Sequence, residues 1–465
     1  MSDHVIAITA LALVFTIATV TSVHMGALAI VAAFITGTFF FEQTSDDIFG
    51  GFPGDLFVVL VGVTFLFAIA RNNGTVDWLV QASARAVRGR IALIPWVLFL
   101  VTAVLTAVGA VVPAAVAIVA PIGAGFAVRH RINPVLMGLF IINGASAGGF
   151  SPISVFGSIT NGVVERNGLP GNPSLLFASS FVFNALLCLV VFFLFGGRGL
   201  LGRRVGAEGP PGGAAGHSGS GSGPDSRPVH PDGGGVSPPP GGGRGGVAVA
   251  PARATTGTVT AEPPELRLDR VRALTLLGLA GLVAGALFFD LHVGLLALTV
   301  TVVLSLLSPE SAKGAVDRCA WSTVLLVCGI VTFVGTMERI GTIEYLGTRV
   351  ADVGAPLLGA LLICAIGAVV SAFASTTGIL GALIPLAVPF LLAGEVGAVG
   401  LVIALAISSS VVDSSPVSTS GALVTANAPE AERETVFRRL MVWGFGMAAV
   451  APPLTWLLFV VPGWL

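Results

Sequence analysis

Ten apolar runs, each about as long as a bilayer is thick, leave this chain few folds to choose from. They fall at 5–22, 24–41, 55–71, 134–161, 174–195, 271–290, 292–308, 320–337, 398–427 and 437–461. At helical rise, roughly 17 to 25 residues cross the ~30 Å of hydrocarbon in a membrane. Lipid offers backbone groups no water, so only helices and closed barrels span it, and continuous rather than alternating runs are helices. Composition agrees: 54% of residues are apolar, 10% are charged and the mean hydropathy is +0.95. The first run lacks a basic leader and a small-residue cleavage site, so it is read as a retained span, residues 1–23. The net charge of -1 gives no sign of a nucleic-acid partner. Cys188, Cys319, Cys328 and Cys364 lie in apolar sequence without a CxxC pair, which points to packing and not to a metal or a disulfide framework.

Two further runs, 91–128 and 356–393, carry internal Pro, Gly or polar breaks and are read as re-entrant helical hairpins that turn back within the membrane. Between the halves, 196–265 is dominated by Gly, Pro, Ser, Ala and Arg and cannot bury enough apolar surface to order itself. It is expected to be a disordered linker.

The halves repeat. HMGAL at 24–28 matches HVGLL at 292–296, NNGTVDWL at 72–79 matches RIGTIEYL at 339–346, Pro121 matches Pro385, and SPIS at 151–154 matches SPVS at 415–418, followed by Gly157 and Gly421. The offset drifts only from 268 to 264 residues. Internal symmetry of this kind marks transporters. Residues 24–195 form the first repeat, and 266–465 hold the last span of the first half, 271–290, and the second repeat. With hairpins crossing nothing, the five spans from residue 24 to residue 290 are an odd number, which inverts the second copy. The fold class is therefore all-α membrane protein: two inverted repeats, about ten spans and two hairpins.

Lys and Arg in short loops mark the cytoplasmic side. Placing the termini outside gives the cytoplasm Arg71, Arg85, Arg88, Arg90, Arg129, Arg131, Lys313, Arg318, Arg433, Arg438 and Arg439, together with the linker. The outside receives only Arg166, Arg339 and Arg349, so this orientation in a cell (inner or plasma) membrane is the expected one.

Proline removes a backbone donor and clashes with the preceding turn, so Pro152 and Pro416 break spans 134–161 and 398–427 near mid-membrane. Such breaks survive where they line a cavity or meet protein. Half-helices beginning at Ser151 and Ser415 would aim positive ends inward and favour an anion. Hydroxyls of Ser151, Ser154, Ser414, Ser415, Ser418, Thr419 and Ser420 would hydrogen-bond carboxylate oxygens without a buried cation. The second hairpin adds Ser375, Thr376 and Thr377 at its midpoint, whereas the first, GAVVPAA at 109–115, adds no hydroxyl. Asp413 is the one acid deep in a span. It has two readings: a coupling site that binds Na+ with Ser414 and Thr377 or carries H+, or a carboxylate that caps the half-helix beyond it. No other cofactor is indicated.

Catalysis finds little footing. All six histidines fall at span ends, in loops or in the linker, so no buried Ser–His pair forms, and a second mid-span acid for an aspartyl dyad is missing. The chain reads as no enzyme, and paired breaks with hairpins argue for alternating access over a channel.

GFPGDLFVVLVGVTFLFAIARNNGTVDWL at 51–79, ALIPWVLF at 92–99 and NGASAGGFSPISVFGSITNGVVERNGLP at 143–170 resemble the MatC-type dicarboxylate (malonate) carriers over roughly 24–195. STTG at 375–378, and Asp413 and Ser414 followed by SPVSTSGALVTANA at 415–428, are similar to the wider ion transporter superfamily, which includes divalent anion/sodium symporters. That resemblance implies re-entrant hairpins with Ser-Asn-Thr motifs at their tips, broken helices at 149–157 and 413–421, homodimers and elevator motion. The chain departs from it at Thr376, where the motif has Asn, and near Val112 and Pro113, where the motif is absent. The expected function is cation-coupled transport of a small dicarboxylate; the alternative is a Na+/H+ or inorganic oxyanion antiporter on the same fold.

Overall fold

A computed structural model describes residues 3–21, 23–85, 90–203, 268–289, 291–342, 345, 356–373, 376, 380–381, 383–384, 387, 391 and 396–463. All regular structure among them is helical. Residues 1–205 and 266–465 form one compact unit. The linker beyond Arg203, Arg349, Pro385, Ser375 and Thr377 lie outside the described residues.

The first half runs through α1 (Asp3–Val20), α2 (Met25–Phe40), the short α3 (Ser45–Gly50), α4 (Gly54–Asn72), α5 (Thr75–Arg85), α6 (Ile94–Ala107), α7 (Val112–His130), α8 (Pro134–Gly148), α9 (Val155–Arg166) and α10 (Pro173–Leu194). The second half holds α11 (Arg270–Phe288), α12 (Val293–Leu307), α13 (Trp321–Arg339), α14 (Pro356–Phe373), α15 (Ala398–Val411), α16 (Thr419–Asn427) and α17 (Arg433–Thr455). Among the described residues, six helical stretches are long and apolar enough to cross a membrane: Gly54–Asn72, Val112–His130, Pro173–Leu194, Trp321–Arg339, Ala398–Asn427 and Glu430–Val460. The chain is a multi-pass membrane protein.

Side chains beside the apolar runs set where helices start. Asn133 Oδ1 accepts from the Val135 N–H at 2.9 Å ahead of α8, and Asn172 Oδ1 accepts from Leu175 at 3.0 Å ahead of α10, each with proline at the first helical position. Proline there gives up only a donor the helix cannot use. Asp269 and His292 cap α11 and α12 in the same way. The ordered chain continues past Gly196 through a turn at Gly197–Leu200, with Leu200 buried and the Arg203 carbonyl accepting from Ile91 N–H at 3.3 Å. This turn falls inside the stretch expected from composition to be linker, and Leu200 finds there an apolar seat that glycine content does not reveal.

The halves interlock through glycines. Gly26 of α2 sits against the backbone of Leu325 and Leu326 in α13, and Gly329 of α13 sits against the backbone of Gly26. Gly294 of α12 meets the backbone of Val58 and Val59 in α4, and Gly62 of α4 meets the Gly294 carbonyl. A side chain at any of the four would strike backbone, so helices from opposite halves approach at the closest distance helices allow. Gly26 and Gly294, and Gly62 and Gly329, are repeat counterparts at offsets of 268 and 267 residues.

Two helices lie at the centre. Val135 to Gly148 of α8 and Gly400 to Val411 of α15 are buried on every side, whereas α10 and α12 expose Leu186, Phe193, Val302 and Leu306 on their outer faces. A helix apolar all round belongs inside a bundle. Both central helices stop at mid-chain breaks, so the fold puts the interruptions in its interior.

Candidate functional site

The two breaks share a set of backbone and cap hydrogen bonds. α8 ends at Gly148 and α9 starts at Val155; α15 ends at Val411, followed by a tight turn at Val412–Ser414, and α16 starts at Thr419. In the first, Ser151 N–H donates to the Gly148 carbonyl at 3.1 Å and Ser154 N–H to Ser151 at 2.9 Å. In the second, Ser415 N–H donates to Val412 and Ser418 N–H to Ser415, both at 3.0 Å. Every partner is displaced by 264 residues. Ser154 and Ser418 are the N-caps of the second half-helices, at φ/ψ of -87°/167° and -74°/163°. Their hydroxyls accept from Gly157 and Gly421 N–H at 3.2 and 3.3 Å and share their protons between the carbonyls of Gly149 and Ser151, and of Asp413 and Ser415. Gly157 and Gly421 carry no side chain because a Cβ would enter the Ser151 and Ser415 carbonyls.

The half-helices therefore begin at Val155 and Thr419, four residues later than expected from the prolines. Pro152 and Pro416 sit inside the serine turn, not at the helix start, and the serine that follows closes the turn and opens the helix. Ser154 and Ser418 thus serve first as caps. Ser414 donates to the Val411 carbonyl at 2.8 Å, and Ser415 Oγ accepts from Val417 N–H at 3.2 Å while its backbone packs on Gly444 of α17. Among the described candidates, Thr419 alone is exposed; Ser151 is 7% exposed, and Ser154, Ser414, Ser415 and Ser418 are buried deeper. Thr376 is buried with its Oγ1 2.9 Å from Ser371 Oγ. α14, which leads toward it, packs against the 412–414 turn.

Where the first break has Gly149, the second has Asp413, and this is the main asymmetry. Its carboxylate is 4% exposed and accepts from Ser420 Oγ at 2.6 Å, so it turns toward the first turn of α16. The residue occupying the place of Ser420 in the first break is Phe156, which has no such donor.

Packing gathers both breaks. α8 contacts the 412–414 turn, and α16 packs on α7 and α8. The turn between α6 and α7, residues 108–111, sits beside the first break, with Val112 against Gly149. At its tip Gly109 has φ +117° and faces Val63 of α4, leaving no room for a side chain. On α6, Thr102 and Thr106 donate to their own helix carbonyls, so the first tip presents main chain to the break.

Sequence reasoning passed over a second polar group. Asn143 and Ser146 of α8 face Ser180 and Asn184 of α10, all 0–1% exposed. Asn184 Nδ2 donates to the Ser180 carbonyl at 2.9 Å, while both Asn143 amide atoms and Ser146 Oγ have no hydrogen-bond partner among the described residues. An asparagine within an apolar span is a warning by the same cost argument that singles out Asp413.

At the far end of α9 a cavity of 360 Å³ opens between Arg166, Glu338, Arg339 and the Gly50–Gly51 turn. Arg166 pairs with Asp55 at the start of α4, through Nη2 and, at 3.2 Å, through Nε.

Residues 1–149 match the family described as the dicarboxylate carrier protein MatC N-terminus, which bears out the resemblance over that stretch. No curated protein matches the chain. Among solved structures, the YdaH transporter of Alcanivorax borkumensis is similar, with a TM-score of 0.57 and 15% identity over 90% of this chain and 88% of that one. At that identity the likeness is one of fold.

Proposed function

We propose that this chain is a secondary active transporter that carries a small, malonate-like dicarboxylate across the membrane, coupled to Na+ or H+. The observation that carries the reading is the pair of breaks with matching serine caps at the ends of two buried helices, in a chain whose first 149 residues match a dicarboxylate carrier family.

α9 and α16 start at these breaks, and each brings the partial positive charge of a helix N-terminus into the interior. Two such ends suit the two carboxylates of one diacid. Ser151 and Thr419 flank the caps and supply the hydroxyls, while Ser154 and Ser418 hold the N-terminal turns in shape. Asp413, joined to Ser420, is the place for the coupling cation, with Ser414 and Thr377 as its further ligands. A buried carboxylate is costly unless a cation or proton joins it, which links cation arrival to order at the start of α16.

Several features support inverted repeats with alternating access: the 264-residue correspondence of the breaks, the glycine interlocks between halves, and the first hairpin, in which α6 turns into α7 beside the break with Val112 against Gly149. α6 to α10 and α14 to α17 then form a moving body against α2, α4, α12 and α13, an elevator in a homodimer. With the termini outside, the Arg166–Arg339 cavity faces out and gathers anions by its field.

Binding is tested by thermal unfolding of the purified protein with malonate, succinate, malate, citrate and acetate. A diacid that raises the transition in a concentration-dependent way, with acetate inert, supports the reading. Equal response to acetate and diacids would remove the two-ended site.

A further inference from the structure

We propose that the groove between α10 and α17 is a binding site for an anionic phospholipid. The groove encloses 680 Å³ and is walled by Phe183 and Val190 of α10 and by Val450 and Leu454 of α17. At one end of it stand Arg438 and Arg439. On α17 the groove face is a single stripe: Arg439, Trp443, Met447, Val450 and Leu454 follow at spacings of three and four residues. From Arg439 to Leu454 the stripe runs about 22 Å at helical rise, enough to line the hydrocarbon of one leaflet below a headgroup.

The basic end has charge to spare. Arg438 makes only a solvent-exposed pair with Glu434, 3.8 Å away, and Arg439 makes no ion pair with any described residue. Between the basic end and the apolar wall sits Trp443. Its indole packs edge-on against Phe195, with ring centroids 6.0 Å apart, and its Nε1–H is buried without an acceptor among the described residues. An acyl chain fills the apolar trough, and the phosphate meets the guanidiniums. Basic pockets between membrane helices recognise anionic headgroups in this way. A headgroup carrying its own cation would bring that charge into the field of two arginines. The groove is separate from the transport site, since Ser180, Asn184 and Cys188 on the opposite side of α10 face inward.

The test uses Trp443 as the reporter, in the full-length protein in detergent titrated with brominated-acyl lipids. Each arginine near a charged headgroup contributes about fivefold. Brominated phosphatidylglycerol should quench the Trp443 component at roughly 25-fold lower concentration than brominated phosphatidylcholine. Trp443→Phe should abolish that difference, and Arg438→Gln with Arg439→Gln should bring the two lipids together. Gly446 has open space where a side chain would stand, so Gly446→Leu should fold and block the trough, losing quenching with both arginines present. Equal quenching by both headgroups, a preference that survives the arginine or Trp443 substitutions, or no quenching of Trp443 by either lipid because a second copy or residues 204–267 fill the groove, would each overturn the proposal.

Discussion

Asp413 distinguishes the second break from the first, and its buried carboxylate accepts from the Ser420 hydroxyl at 2.6 Å. Asparagine keeps the size and the hydrogen bond to Ser420 while removing the charge a cation needs. Asp413→Asn should therefore fold with little change in thermal midpoint and lose gradient-driven uptake at least tenfold, with gradient-independent exchange retained. Loss of the folded peak on gel filtration would instead assign Asp413 to structure. Ser154 and Ser418 make the same bonds at the same offset, so Ser154→Ala and Ser418→Ala should each destabilise by about 1 kcal/mol, the usual cost of an N-cap. Thermal unfolding of the two variants should give closely matched shifts, and a large effect in only one would break the equivalence of the two turns.

Glycines at close crossings set the element scale. Val at Gly26, Gly329, Gly62 or Gly294 would meet main chain that cannot yield, a cost of about 1–3 kcal/mol or more. The four variants should lower the yield of monodisperse protein to similar extents, checked by fluorescence-detected gel filtration. Gly109→Ala joins a backbone conformation open to glycine with a clash at Val63 and should cost about 1–3 kcal/mol. Spans and breaks were readable in the sequence because apolar length and proline report directly on a bilayer: the run expected at 55–71 is α4 at Gly54–Asn72, and both interruptions fall where Pro152 and Pro416 stand. The starts of α9 and α16 were misplaced because proline announces the turn, while the cap that ends it, Ser154 or Ser418, is one serine among several. Which helix each glycine faces was hidden as well, since HMGAL and HVGLL mark a repeat without naming a tertiary partner. The Asn143 and Asn184 cluster needed helix facing, which a single span does not encode.

At the scale of the molecule, each half supplies one member of both interlocked pairs, α2 with α13 and α4 with α12. Membrane integrity thus rests on contacts that do not depend on the connection between Arg203 and Leu268. A protease site inserted near residue 230 and cleaved in detergent should leave two fragments that elute together, and their separation would contradict the interlock. The central claim, a dicarboxylate moved by cation coupling through the paired breaks, is tested most directly by uptake of radiolabelled malonate into proteoliposomes under a Na+ gradient, a proton gradient or none, for the native protein and Asp413→Asn. Gradient-stimulated uptake in the native protein that the substitution reduces to the gradient-free level is the predicted result. Malonate uptake that no gradient stimulates, or stimulation that Asp413→Asn leaves intact, would contradict the account.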